Sequence, residues 1–480
     1  MTAMTVIFLT VITALSVAFS APRLSGQFLD LRAFYCAGQA ERSGADPYRE
    51  HPLNECEQKV NVPGFPPKAD RATVPVPFPG FVLALFAALA LLPFPLALYV
   101  WEAAACAAVG FAIVLAARTT RTSVTANAIV IGFPAVILAL QLGQVTPFVL
   151  LAVVGAASFL QSGRPRLAAV TSLGALLDPH VGLALVLGLF IGVPRARLTL
   201  IAGTAALVTL GVFASGPARE WEFLHAVLPA HAFANVTDAA QFSTTYFAYA
   251  TGVPPARAVQ LGSLWYLGAL VAGVFAGLRL RSKLGIVTLA YVPAAIAVFG
   301  GTHTHLQQLA IAIPAFMLLS SAATGRQRDL WSVVTFVAAI PWLFIAPFSW
   351  LYAAPPALAL VFAREMRIGR QGIRLAAGSL VALVVMMIAI LRTHVQHKPL
   401  EVTIPGNPLA EVSWQMFTVA RNVPTEAWSF VAKAPTVIAF LLLFGAFARI
   451  ALRPSVPNTQ LRAPLLPLLA GRSRVIPADS

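Results

Sequence analysis

The residues best suited to chemistry gather in and beside one polar island, DLRAFYCAGQAERSGADPY, at 30–48. Asp30 opens it, eight residues past an apolar run at 4–22 that is long enough to cross a bilayer as a helix. A carboxylate placed there is a candidate general base, able to take a proton from an attacking hydroxyl within hydrogen-bond reach. Arg32 of the island and Arg49 just past it are candidates to contact an anionic group that leaves as the hydroxyl attacks. Further along, Gln144 in QLGQ and Gln241 in AAQFS are candidates to orient hydroxyls. His303 and His305 in GTHTH precede an apolar helix, where one of them would meet a phosphate or an acceptor. Each has a plainer reading. Asp30 suits a helix N-cap and Asp46, in GADPY, suits a turn; the glutamines suit helix-packing contacts. Asp178 and His180 fall inside an apolar run, where an ionisable residue either serves function or pairs within the bundle.

The elements that must hold these residues are membrane helices. The chain is 58% hydrophobic and 11% charged, with a mean hydropathy of +0.79. Its apolar runs are near-continuous and lack the alternation of barrel strands, so their backbone polar groups must be satisfied within helices. The expected fold is therefore all-α: a polytopic helical membrane protein of roughly 12–14 transmembrane helices, 1–480 forming a single integral membrane domain. Spans are expected near 4–22, 76–94, 96–117, 124–142, 145–161, 167–193, 197–213, 258–278, 284–300, 305–322, 330–348, 350–363, 375–391 and 434–450. The first lacks a positively charged leader and reads as an uncleaved anchor. Trp221, Tyr246, Trp265, Trp414 and Trp428 read as interfacial aromatics.

The net charge of +15 sits largely in short loops. Arg195 and Arg197, Arg279 with Arg281 and Lys283, Arg326 and Arg328, and Arg364 to Arg374 form clusters that mark a cytoplasmic face, as does the basic tail at 451–480. No nucleic-acid reading motif accompanies them, so the basic balance points to membrane lipids and excludes nucleic acid as partner. The same parity puts 23–75, 214–257, 301–304 and 392–433 outside, with 23–75 the first periplasmic loop. Arg118, Arg121, Arg164 and Arg166 break the pattern, and the segments around QLGQ are accordingly expected to be half-crossing or re-entrant.

Cys36 and Cys56 share the first outer loop, where an oxidising compartment permits a disulfide; two free thiols are the alternative. No zinc-ligand spacing, phosphate-cradling GxxxxGK, GxSxG elbow, HExxH or dinucleotide fingerprint appears, so no metal and no cofactor is expected.

Several segments, in order, are similar to glycosyltransferase family 87 of the GT-C superfamily, the bacterial polyprenyl-phosphate-mannose-dependent transferases. FLDLRAFYCAGQAERSGADPYRE resembles that family's acidic residue, aromatic, small helix and G-x-D-P-Y turn. PFPGFVLALFAALALLPFPLALYVWEA resembles its proline-rich second and third helices, and LQLGQVTPFVLLAVV its G-Q helix start. NVTDAAQFSTTYFAYATG resembles its polar outer loop, and GTHTHLQQLAIAIPAFMLL its late histidine loop. The likeness runs over about 20–320 and continues beyond only as hydropathy. It departs where the family often carries Lys-Pro within a helix and this chain has Asp178-Pro179-His180.

The resemblance implies a GT-C-type fold, Asp30 as catalytic base, and Arg32, Tyr35, Arg49, Gln144, Gln241, His303 and His305 as substrate-binding residues. It implies an inverting hexosyltransferase of the inner (plasma) membrane. Such an enzyme moves a hexose, mannose by the likeness, from a polyprenyl phosphate sugar donor to a lipid or glycan acceptor on the outer face. Two alternatives use the same features: a flippase or transporter for a lipid-linked sugar, and a pentosyl (arabinofuranosyl) transferase on the same scaffold. A transporter favours polar residues along a midplane path, whereas here they gather at one face.

Overall fold

A computed structural model describes residues 28–60, 73–132, 135–238, 240–340, 354–370, 372–374, 376, 378, 408–422 and 426–453. Among these residues the protein is helical, with extended pairing limited to two isolated bridges, Arg49 to Leu409 and Gln241 to His305. Four helices are long and apolar enough to cross a membrane: Phe94–Thr120, Pro194–Ser215, Pro255–Leu284 and Ala432–Leu452. They coincide with the spans expected at 96–117, 197–213, 258–278 and 434–450. Pro194–Ser215 and Pro255–Leu284 expose large apolar side chains, among them Leu198, Ile201, Phe213, Leu264 and Val271. A contiguous apolar surface of this kind belongs against lipid tails.

Other expected spans do not stand as single rods. The run at 124–142 is two helical pieces, Val124–Gly132 and Val136–Leu142, bent by 50°. The run at 167–193 divides into Pro165–Leu177 and Pro179–Gly192 at Asp178. Proline lacks the amide hydrogen that would continue the ladder and restricts the residue before it to extended backbone; Asp178 accordingly sits at φ −122°, ψ 91°. The run at 76–94 holds only the Gly80–Leu89 helix, because Pro75, Pro77 and Pro79 keep the preceding stretch extended. Spans expected at 4–22 and, for the most part, 375–391 lie outside the described residues, as does the tail beyond 453.

The polar island folds as two helices, Leu29–Arg42 and Glu50–Lys59, joined through the GADPY turn and by a Cys36–Cys56 disulfide. Asp46 shapes that turn: its Oδ1 accepts from the Tyr48 amide at 2.9 Å. Helix Leu29–Arg42 lies directly on Gly80–Leu89. A Cβ at Gly38 would collide with the Phe86 carbonyl and fall 2.6 Å from the Ala87 nitrogen, so only glycine permits this approach. Aromatic rings fill the space below. Phe34 meets Phe78 and Phe86 at 4.8 and 5.0 Å, Phe86 meets Trp101 at 5.1 Å, and Trp101 meets Phe148 at 4.8 Å. This rigid layer fixes the start of the helix that carries Asp30.

Candidate active site

Asp30 sits in the first turn of Leu29–Arg42, but it is not the cap. The cap position is Phe28, held at φ 53°, and no side chain bonds the free amides there. A left-handed phenylalanine is uncommon and costs energy. It is held by its amide donating to the Gln141 carbonyl at 2.6 Å. The QLGQ segment thus grips the helix start. Gly143, at φ +73°, lets the Leu31 side chain press against it, and its carbonyl accepts from Trp101 Nε1 at 3.0 Å. Gln144 Nε2 donates to Asp30 Oδ2. Burial pushes the Asp30 carboxyl up from 3.8 to about 7, with the Gln144 bond pulling the other way. A carboxyl poised there exchanges its proton near neutral pH, the property a general base requires.

A second polar cluster gathers the histidine loop and the broken span. His180 Nδ1 lies 2.6 Å from Asp178 Oδ1, and Gln308 Nε2 donates to Asp178 Oδ2 at 2.6 Å. Gln308 Oε1 accepts from the His305 amide at 2.8 Å, closing a capping box at the start of the next helix. Gln241 Nε2 lies 3.1 Å from His305 Nδ1, and Gln241 Oε1 accepts from the Thr304 amide at 2.6 Å. The His303 ring stands between two others, 5.4 Å from His180 and 4.7 Å from His231. His303 is held below its usual value by burial and then by the neighbouring His231, His180 and His305; burial brings His231 down to about 3. Among the described residues no group of three or more His, Cys, Asp or Glu is arranged to hold a metal.

One helical piece joins the two regions. Ala135–Leu142, which leads into Gly143 and Gln144, packs against Leu29–Arg42 on one side and against Leu306–Ala312 on another. Asp30 and the histidine cluster therefore flank a shared element.

The other candidates divide. Gln144, Gln241, His303 and His305 lie within these clusters. Arg32 is buried in the Asp30 helix. Tyr35 donates its hydroxyl to the Leu92 carbonyl at 2.9 Å, with its ring edge-on to Phe94. Arg49 pairs with Asp46 at 3.2 Å and with Glu222. Both Tyr35 and Arg49 thus brace the fold. Three residues gained no role from the sequence. His231 joins the cluster, with Glu411 Oε1 4.0 Å from its Nδ1, and burial raises Glu411 to about 8. Lys433 is fully buried, its Nζ 3.4 Å from the Tyr246 ring centre and 5.6 Å from that of Phe242. The signal for Lys433 was its place at the end of a span opposite to the one where the basic clusters gather.

Residues 77–299 match the model of glycosyltransferase family 87. Over that stretch, a little under half of its length, the chain is similar to glycosyltransferase family 87. No curated protein and no solved structure matches it. The match indicates a glycosyltransferase, and four of the chain's helices are long and apolar enough to cross a membrane. The matched stretch holds Gln144, Asp178, His180 and Gln241. Asp30, His303 and His305 lie outside it and join the site through the contacts just described.

Proposed function

We propose that this transferase is an inverting hexosyltransferase of the inner membrane. It moves a sugar, mannose by family resemblance, from polyprenyl phosphate to a hydroxyl of a lipid or glycan acceptor at the outer face. The observation that carries this reading is Asp30: a carboxyl poised near pH 7 and bonded through one oxygen to Gln144.

In the proposed step the acceptor O–H gives its proton to Asp30 Oδ1 while its oxygen attacks the anomeric carbon from the face opposite the phosphate. The carbon–oxygen bond to phosphate breaks, and polyprenyl phosphate leaves with the electron pair. Gln144 keeps the carboxylate in register. The His303 and Gln241 region supplies hydrogen-bond donors for the departing charge. The lipid tail lies along apolar helix faces, where each buried CH₂ contributes about 0.8 kcal/mol.

The test is donor choice. Purified transferase given a polyprenyl phosphate sugar and an acceptor should release polyprenyl phosphate and form a glycosidic bond without added nucleotide. Consumption of a nucleotide sugar instead, or movement of the lipid-linked sugar between leaflets without a new bond, contradicts the proposal.

A further inference from the structure

The Asp178–His180 pair is the least explained part of the histidine cluster. Asp178 occupies the cap position of Pro179–Gly192, yet its carboxylate makes no capping bond; it turns instead to His180 and Gln308. With Nδ1 committed to Asp178 at 2.6 Å, Nε2 is the ring nitrogen left to meet a ligand, and it donates when the ring carries both hydrogens. The backbone that carries the ring is also held, because Tyr266 donates its hydroxyl to the His180 carbonyl at 2.7 Å.

His180 Nε2 is buried and meets no hydrogen-bond partner; His231 Nδ1, on the far side of His303, lacks a hydrogen bond too and has Glu411 Oε1 4.0 Å away. Orphaned buried polar atoms cost about 1–3 kcal/mol each unless a ligand answers them. The two flank one imidazole, in a cluster of touching rings that oppose each other's protonation. A group with several acceptor oxygens and a negative charge satisfies both conditions at once: it accepts from several ring N–H groups and offsets their mutual repulsion. A neutral hydroxyl satisfies only the first.

We infer that His180, positioned by Asp178, binds the phosphate of an isoprenyl phosphate through Nε2, within the ring cluster it shares with His303 and His231. Asp178 is a positioning residue here: it turns the ring and does not touch the phosphate. The inference rests on the reading of a lipid phosphate donor but assigns a residue which that reading leaves without a role.

Binding to the full-length transferase in detergent tests it, with three probes: a short-chain isoprenyl phosphate, the matching isoprenol, and inorganic phosphate. His180→Ala should weaken the isoprenyl phosphate by about 10–100-fold, the size of one hydrogen bond to a charged group, and leave the isoprenol unchanged. His180→Gln, which retains a donor near Nε2, should recover part of that loss. Asp178→Asn should weaken the phosphate only while His180 is present, so that the double variant is no worse than His180→Ala alone. Competition by inorganic phosphate, lost in His180→Ala, supports a headgroup site. Wild-type affinity in His180→Ala overturns the inference and leaves the donor reading standing. Equal loss for phosphate and isoprenol also overturns it, by showing only a damaged pocket. Failure of the wild-type protein to bind any isoprenyl phosphate overturns both.

Discussion

Replacing Gln144 with leucine should move the pH dependence of transfer upward. The Asp30 carboxyl is held at about 7 by two opposed effects, burial raising it and the Gln144 bond lowering it. A hydrogen bond to a charged group is worth about 1.5–3 kcal/mol, and one pH unit corresponds to about 1.4 kcal/mol. Removing the Gln144 donor should therefore raise the group by about 1–2 units. The base must be ionised to act, so kcat/KM rises with pH through the free-enzyme value. At pH 7 about half of the wild-type carboxyl is ionised; a one-unit rise leaves about a tenth, a roughly fivefold loss. Most of that loss should return by about pH 9, because the variant carboxylate is intact and merely harder to form. The assay is kcat/KM for sugar transfer by reconstituted protein from about pH 5.5 to 9.5, with protein integrity checked at each end. A Gln144→Leu limb at the wild-type pH or below it refutes the reasoning. So does a loss that alkaline pH leaves uncorrected, which would make Gln144 a substrate contact and not a tuner of Asp30.

Asp30→Asn keeps the size and the contact to Gln144 but removes the base, so turnover should fall by about 10²–10⁴-fold and the limb near pH 7 should vanish; steady-state rates check this. Cys36→Ser should lose a non-reducing mobility shift and lower thermal stability by about 3 kcal/mol, the chain-entropy value for a loop of about twenty residues. Added reductant should bring the wild-type protein to the same point. Gly38→Ala should destabilise by about 1–3 kcal/mol, because the new methyl strikes the Phe86 backbone. Gly110→Ala, where a Cβ meets open space in a long helix, should be neutral or stabilising in the same thermal assay. In a background lacking Cys36, Cys56 and Cys106, Ser43→Cys and Thr302→Cys should react with an impermeant thiol reagent from one side of the membrane; labelling from opposite sides sinks the shared-site proposal.

What the sequence made legible was local. The carboxylate-bearing island, the GADPY turn and the QLGQ segment could each be singled out because their chemistry is written in adjacent residues. The contact between Asp30 and Gln144 joins two such segments. The breaks at 132–136 and at Asp178 were partly legible, through misplaced arginines and through proline. The cap reading of Asp30 gives way because Phe28 takes the cap position, a result of Gln141 holding its amide that no local propensity announces. The histidine cluster was less legible. His180, His231 and His303 come from three separate segments, and ring contact among them depends on how broken helices stack. Glu411 carries no motif at all and only burial beside His231 distinguishes it, while Lys433 stands out in the sequence only by its place at a span end.

The central claim is that Asp30 drives a single displacement at the anomeric carbon of a lipid-linked sugar. The most direct test is the anomeric configuration of the product, read by NMR, after the purified transferase acts on a polyprenyl phosphate sugar of known configuration. The account predicts the opposite configuration in the product, formed by wild-type protein and lost in Asp30→Asn. Retained configuration, or product formed equally well without the Asp30 carboxylate, would contradict it.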